Sequence, residues 1–215
     1  HDSYDIIIIG GAIMGASCAW FLARDPDFNG RVLVVERDTT YAQASTTHTN
    51  SCIRQQFSTE LNVRISQFAA EYIHSLRDQL DGDPRVPDLK IQSFGYMYLA
   101  DTDAFADVLR RNIKVQHAAG AATQLMTPEQ IKDAYPFYNV DDIKLGSINR
   151  VNEGYWDGAT VFDWWRRMAR KKGVEFIANE VCAIGLNQSG SRVESVTLAS
   201  GETLTCGQVV NASGP

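Results

Sequence analysis

The chain has 215 residues, 44% hydrophobic and 21% charged, which is globular composition and excludes disordered, collagenous and coiled-coil classes. Its 20 basic and 26 acidic residues give a net charge of −6, against a nucleic-acid partner, whose phosphates require clustered Lys and Arg. The length allows one large domain or two small ones.

Asp5–Ile9 is a run of β-branched residues closed by Gly10-Gly11, the pattern of a strand buried on both faces of a parallel sheet. Gly15–Ala23 reads as a helix, Asp25–Gly30 as a turn and Arg31–Glu36 as a second strand. Together they form a βαβ unit with an expected right-handed crossover. Thr39–Asn50 is rich in Ser and Thr without apolar period and reads as a loop.

A long helix is expected from about Ser58 to Leu80. Leu61, Ile65, Phe68, Ala69, Tyr72, Ile73, Leu76 and Leu80 recur there at three- and four-residue spacing, a stripe read as core packing. Gly82–Pro87 ends it. Phe94–Leu99 predicts a strand and Asp103–Ala118 a helix. Thr127-Pro128-Glu129-Gln130 is a capping box opening a short helix.

Another helix starts near Asp157 and stops at Gly173, with Val161, Trp164, Trp165, Met168 and Ala169 on one face. Its Arg166, Arg167, Arg170, Lys171 and Lys172 form the one basic cluster and read as a solvated face. Val174–Ala178, Val181–Leu186 and Val193–Leu198 predict strands, and Gln208–Ala212 one more, buried. The four cysteines, at 18, 52, 182 and 206, have no C-x-x-C spacing, so neither a metal site nor a disulfide framework is expected. The expected compartment is reducing: the cytoplasm, or the mitochondrial matrix if the source is eukaryotic. No apolar run approaches the roughly 18 residues of a membrane span, and no transmembrane segment or signal peptide is expected.

The sharpest motif is Gly10-Gly11-Ala12-Ile13-Met14-Gly15, a G-x-G-x-x-G fingerprint with Ala12 at the second glycine position. Gly10 permits the tight turn, the second position lets backbone approach a pyrophosphate, and Gly15 lets helix and strand pack closely. The helix N-terminus then offers N–H groups and a positive dipole end to phosphate. The Ala12 methyl is expected to crowd that approach slightly. Glu36 closes the second strand 21 residues after Gly15. An acid there accepts hydrogen bonds from ribose hydroxyls and repels a 2′-phosphate, which disfavours NADP.

With the loop Ser45-Thr46-Thr47-His48-Thr49-Asn50 and the late Asn211-Ala212-Ser213-Gly214 segment, the chain resembles the N-terminal half of the D-amino-acid oxidase superfamily of FAD-dependent oxidoreductases. The resemblance is to the sarcosine oxidase and dimethylglycine dehydrogenase branch. It runs through Ile6–Leu22, Val34–Arg37, Ala44–Phe57, Gly95–Ala100, Gly154–Gly173 with Val181, and Val209–Pro215; Ser51–Ser58 is its most branch-specific segment.

The implied fold class is α/β: a Rossmann-like, glutathione-reductase-type FAD-binding domain with a mixed α+β substrate-domain insertion. The expected division is 1–90 FAD-binding, 91–150 substrate domain and 151–215 FAD-binding again, with the family's C-terminal half lacking and the 215 residues read as part of a larger enzyme. An open sheet edge is expected beside Val209–Asn211.

The resemblance also implies roles. Gly10, Gly11, Ala12, Ile13, Met14 and Gly15 would hold the pyrophosphate, Glu36 the adenosine ribose, and Arg37 would lie over the adenine. Ser45, Thr46 and Thr47 would contact the phosphate and ribityl region, with Ser51 and Ile53 also on the cofactor. Val181 would clasp adenine through its backbone, and Ala212 and Gly214 would pass beside the cofactor.

His48 matches a histidine that in dimethylglycine dehydrogenase-like enzymes is bonded covalently to the flavin. Thr47, where that branch has Trp, and Asn50-Ser51, where it has Ala-Gly, leave covalent and non-covalent FAD both open. Arg54 matches an arginine that binds the substrate carboxylate; a guanidinium can grip a carboxylate through two parallel hydrogen bonds. His48 and Arg54 are thus the two candidate catalytic residues.

The implied activity is oxidation of the C–N bond of a small amine or amino acid, of sarcosine, dimethylglycine or D-amino-acid type, by hydride transfer to FAD. Dioxygen or an electron-transfer acceptor would take the electrons. The alternatives are a weakly catalytic or non-catalytic flavin-binding assembly factor on the same fold, and a NAD-dependent dehydrogenase.

Overall fold

The computed structural model describes residues 1–214. In chain order its elements are β1 (Ser3–Ile9), α1 (Ile13–Arg24), β2 (Val32–Glu36), β3 (Cys52–Ile53), α2 (Glu60–His74), α3 (Leu76–Gln79), β4 (Tyr96–Ala100), α4 (Asp103–Ala118), β5 (Gln124–Met126), α5 (Pro128–Ala134), β6 (Leu145–Asn149), β7 (Gly154–Tyr155), α6 (Gly158–Lys171), β8 (Glu175–Ala178), β9 (Val181–Leu186), β10 (Val193–Leu198) and β11 (Thr203–Asn211). They form two compact units. One holds His1–Thr49 and the chain from Gly158 onward; the other is Asn50–Asp157. The sequence divided the chain at 90/91 and 150/151 instead. Residues 50–90 group with the second unit because Ile53, Ala70, Ile73 and Ile91 share one buried cluster.

In the first unit six strands pair in the order β8-β2-β1-β11-β10-β9. β8, β2, β1 and β11 run parallel, while β10 and β9 add an antiparallel edge. Ile7, Ile8, Leu33 and Val34 are fully buried, as an aliphatic run in a sheet covered on both faces requires. Each such side chain contributes about 1.5–3 kcal/mol by leaving water. The helices α1 and α6 pack together on this sheet, with Phe21 edge-on to Trp165 at 6.2 Å between ring centroids. From β1 the chain crosses to β2 and later to β8 on one side, while β11 joins on the other. The strand order therefore reverses at β1, and open α/β sheets bind ligands at such switch points, outside the carboxyl ends of the strands. β10 pairs only with Thr203–Thr205 of β11, so Gln208–Asn211 is paired on the β1 side alone among the described residues.

The second unit is built on the antiparallel sheet β4-β6-β5, with β3 and β7 as a separate two-stranded pair. Ala100, Ala106, Leu109 and Leu145 pack between that sheet and α4. Thr127 and Gln130 make the reciprocal capping box, Gln130 N–H to Thr127 Oγ1 at 3.3 Å and Thr127 N–H to Gln130 Oε1 at 2.9 Å.

Two sequence expectations are corrected. The helix over 58–80 is two, α2 and α3, parted at Ser75, whose φ of −104° and ψ of 18° leave the helical region. The first half of the stripe also turns outward: Leu61, Ile65 and Phe68 are 69%, 55% and 58% exposed, whereas Tyr72, Ile73, Leu76 and Leu80 are buried as expected, and Val63 and Ala70 are buried with them. The small Val63 lets α2 approach Ala119 and Ala121, and Ala70 fits beside Ile53 and Ile91. Close approach to tertiary partners decided the buried face, which a count of large apolar residues does not capture. No described helix is long and apolar enough to cross a membrane.

Candidate functional site

At the carboxyl end of β1, Gly10 adopts φ +92°, and a Cβ there would lie 2.6 Å from the Ala212 carbonyl oxygen. A Cβ on Gly15 would meet the Gly10 carbonyl oxygen at 1.9 Å. The turn thus needs both glycines, for the left-handed backbone and for close helix–strand packing. The Ala12 side chain packs toward Ala16, Tyr41 and Phe162, so it turns into the core; the sequence expected it to crowd a ligand.

The first turn of α1 has no acidic residue and no side-chain cap from Ala12. The Ile13 N–H donates to Thr46 Oγ1 at 3.2 Å, while the Met14 and Gly15 N–H groups have no acceptor among the described residues. Orphaned donors at a helix N-terminus, backed by the helix dipole, are an anion site.

Glu36 ends β2 beside this turn. Its Oε2 accepts the Gly11 N–H at 2.7 Å and its Oε1 the Asp38 N–H at 2.8 Å. Each oxygen keeps a lone pair for a further donor. The Asp38 carboxyl lies below the usual carboxylate range, first through the Thr40 hydroxyl and then through backbone N–H groups. A cleft of about 640 Å³ opens at these strand ends, with Gly10, Glu36, Arg37, Val181, Asn211 and Gly214 among its walls. Five of the sequence candidates thus share one cleft. Asn179, Glu180 and Cys182 line it too, and no motif in the sequence marks them.

The Ser45–His48 stretch is a chain of turns. The Thr47 hydroxyl donates to the Tyr41 carbonyl at 2.7 Å, and His48 Nε2 meets the Ala42 carbonyl at 2.8 Å. Ser45 and His48 are exposed, and Thr46 between them is half-buried. Under this loop the Arg166 guanidinium stacks on Tyr41 at 4.7 Å and on Phe162 at 5.2 Å, so this member of the basic cluster is not simply solvated. Ala212 donates its N–H to the Ile9 carbonyl at 2.8 Å, and Gly214 has φ +82°. The resemblance over Val209–Pro215 extends to a last residue outside the described ones.

Ser51, Ile53 and Arg54 belong to the second unit. Ser51 has φ +47°, and its carbonyl accepts the Trp156 N–H at 3.1 Å. The Ile53 side chain is core, against Ala70, Ile73 and Ile91. Arg54 is exposed and makes neither ion pair nor hydrogen bond among the described residues. Its guanidinium lies 5.3 Å from the Phe57 ring centroid and 5.9 Å from that of Tyr96. Tyr96 is pushed up to about 12, first by the Cys52 thiol and then by burial.

Arg54 borders a pocket of about 250 Å³ with apolar walls from Phe57, Tyr98, Phe105 and Leu109 and polar ones from Asn112 and Gln116. Behind it lies a buried polar network of Gln55, Gln56, Ser147, Asn149 and Glu153, which sequence reasoning missed. Its members come from two stretches of the chain, with Gln56 and Ser147 91 residues apart, and the pairing of β3 with β7 helps to bring them together. No group of three or more potential metal ligands exists among the described residues.

The orphaned N–H groups, the tight glycine turn at the end of β1 and the twice-anchored Glu36 carboxylate fit a dinucleotide with its pyrophosphate on α1. Comparison with known proteins agrees. The sequence profile of the DAO family, FAD dependent oxidoreductase, matches residues 5–215. The bovine FAD-dependent oxidoreductase domain-containing protein 1 is 40% identical over 205 residues, covering 94% of this chain and 41% of that protein. Sarcosine oxidase subunit beta of an Arthrobacter species is 26% identical over 215 residues, 98% of this chain and 51% of that one. The crystal structure of L-proline dehydrogenase from P. horikoshii superposes with a TM-score of 0.79 at 26% identity, over 99% of this chain and 53% of that chain. The chain therefore spans about half, or less, of the length of these relatives. With the fingerprint turn, the reversal of strand order at β1 and a match along almost the whole sequence, the chain belongs to the DAO family of FAD-dependent oxidoreductases.

Proposed function

We propose that the protein oxidises the C–N bond of a small amino acid, with a secondary or tertiary amine of the sarcosine, dimethylglycine or proline type as the favoured substrate. The observation that carries the substrate class is Arg54: an unpaired guanidinium, held over two aromatic rings, at the edge of a pocket with apolar walls. A carboxylate fits such a cation in bidentate geometry, and the apolar walls take the remaining carbon skeleton.

FAD, when bound, accepts the hydride from the carbon next to nitrogen. The chain's own residues bind and orient. The α1 N-terminus with Gly10–Gly15 takes the pyrophosphate, Glu36 the adenosine ribose, and Arg37 and the Val181 backbone the adenine. Ser45 and Thr46 meet the phosphate and ribityl region, and Ala212 and Gly214 pass beside the cofactor. Arg54 fixes the substrate carboxylate, so that the amine is presented in one orientation. The neutral amine gives up a hydride to become an iminium ion, which water hydrolyses; dioxygen or an electron-transfer acceptor takes the two electrons.

Anaerobic mixing of the FAD-loaded, full-length protein with sarcosine, N,N-dimethylglycine, L-proline and D-alanine tests this reading. Bleaching of the visible flavin band by an N-alkyl or cyclic amino acid is expected. A flavin that dithionite bleaches and none of the four amino acids does would overturn it.

A further inference from the structure

Glu153 has no solvent exposure, yet among the described residues no cation bonds to it. Its Oε1 accepts the Gln55 N–H at 2.6 Å and Asn149 Nδ2 at 3.0 Å; its Oε2 accepts Gln56 Nε2 at 3.0 Å. Gln56 is tied in turn to the Tyr96 carbonyl at 2.9 Å and to the Ser147 hydroxyl at 2.7 Å. Burial pushes the Glu153 carboxyl up, against these three donors and the nearby Arg54 charge, which hold it down. A buried carboxylate is costly, and a purely structural role is filled as well by neutral side chains.

Its position indicates its task. β3 and β7 pair Cys52 with Tyr155 and Ile53 with Gly154, and one step further that register sets Arg54 opposite Glu153. The N–H that Glu153 grips most tightly belongs to the peptide unit joining Arg54 to Gln55. That unit is planar, so fixing it fixes ψ of Arg54 and the direction in which its side chain leaves the backbone. The Phe57 and Tyr96 rings limit the rest of the side chain's freedom.

We propose that Glu153 is a positioning residue: it clamps the Arg54–Gln55 peptide so that the guanidinium stays at the pocket with its N–H groups free for a substrate carboxylate. A direct Glu153–Arg54 ion pair would consume those donors, whereas saturating the carboxylate with three neutral donors leaves them available. This inference rests on Arg54 as the carboxylate-binding group. It also opposes simple electrostatics, because removing a nearby anion should by itself strengthen carboxylate binding.

Calorimetric titration of the full-length holoprotein with benzoate, and with benzamide as its uncharged counterpart, decides between the two. The wild type is expected to prefer benzoate, and Arg54→Met to abolish that preference. Glu153→Gln is expected to weaken benzoate about tenfold, within the cost of a displaced binding group, and to leave benzamide unchanged. In the Arg54→Met background it should add nothing, as required of a residue that acts through Arg54. Unchanged or tighter benzoate binding by Glu153→Gln overturns the positioning role and leaves Arg54 standing. A wild type that does not distinguish the two probes overturns the Arg54 reading and this inference with it. Should Glu153→Gln not fold, Glu153→Asp keeps the charge but draws it back by one methylene. It should show a smaller loss of benzoate affinity, and wild-type affinity in a folded Glu153→Asp overturns the clamp.

Discussion

The Glu36 carboxylate accepts the Gly11 backbone N–H at 2.7 Å, so the end of β2 is tied to the glycine turn that opens α1. One side chain thereby shapes the glycine turn and, in the proposed function, presents acceptors to a ribose. Glu36→Ala should lose both tasks. Removal of charge-assisted hydrogen bonds worth about 1.5–3 kcal/mol each predicts a fall of about a hundredfold in FAD affinity. Reconstitution of the apoprotein, followed by quenching of flavin fluorescence, measures it. Wild-type affinity would show that the ribose is held elsewhere.

Much of this half of the site was legible in the sequence, because its parts are local. Gly10, Gly15 and Glu36 sit at fixed offsets within one βαβ unit, and the unit dictates where each falls. The Arg54 side was legible only as a resemblance. Glu153 lies 98 residues from Gln55 and carries no local signal, and its meaning appears only when β3 pairs with β7. The first half of the α2 stripe failed for a related reason: Leu61 and Phe68 have the helical period, but the small Val63 and Ala70 allow the closer approach. β3, β5 and β7, of two, three and two residues, are too short to have a period at all.

Gly15→Ala should destabilise the protein by about 3 kcal/mol, since its methyl would lie 1.9 Å from the Gly10 carbonyl oxygen and must force α1 away from β1. Gly190→Ala is the control. Gly190 has φ +67° with open space around it, so only the backbone cost of about 1 kcal/mol applies. Urea unfolding of the two variants should separate them clearly. Equal midpoints would mean that α1 relaxes without cost.

A carbonyl oxygen only accepts, so the 2.8 Å contact with Ala42 makes His48 Nε2 the donor. With Nε2 held by Ala42, and Thr47 standing where the branch that bonds its flavin has Trp, the flavin is expected to stay non-covalent. Acid precipitation of the holoprotein should release yellow colour to the supernatant. Colour kept in the pellet by the wild type and lost from it in His48→Ala would assign a covalent bond to His48, formed either through Nδ1 or after the ring leaves Ala42.

Tyr4 supplies a pH test of the first unit. Its hydroxyl donates to Glu175 Oε2 at 2.9 Å, and burial first, then that carboxylate, pushes the phenol up to about 12 from its ordinary 10.0. The folded protein therefore holds this proton more tightly than the unfolded chain. The resulting stability is fully present below pH 10 and is lost as the pH rises toward 12. Tyr4→Phe keeps the ring and removes both the hydrogen bond and the titration. It should cost about 1 kcal/mol at neutral pH, the net worth of one hydrogen bond. The difference from wild type should shrink through that alkaline window, because only the wild type carries this term. Guanidinium unfolding at neutral pH and at points between pH 10 and 12 measures both curves. A constant gap would mean that the phenol titrates alike in the folded and unfolded chains, and that the Glu175 carboxylate exerts no hold on its proton.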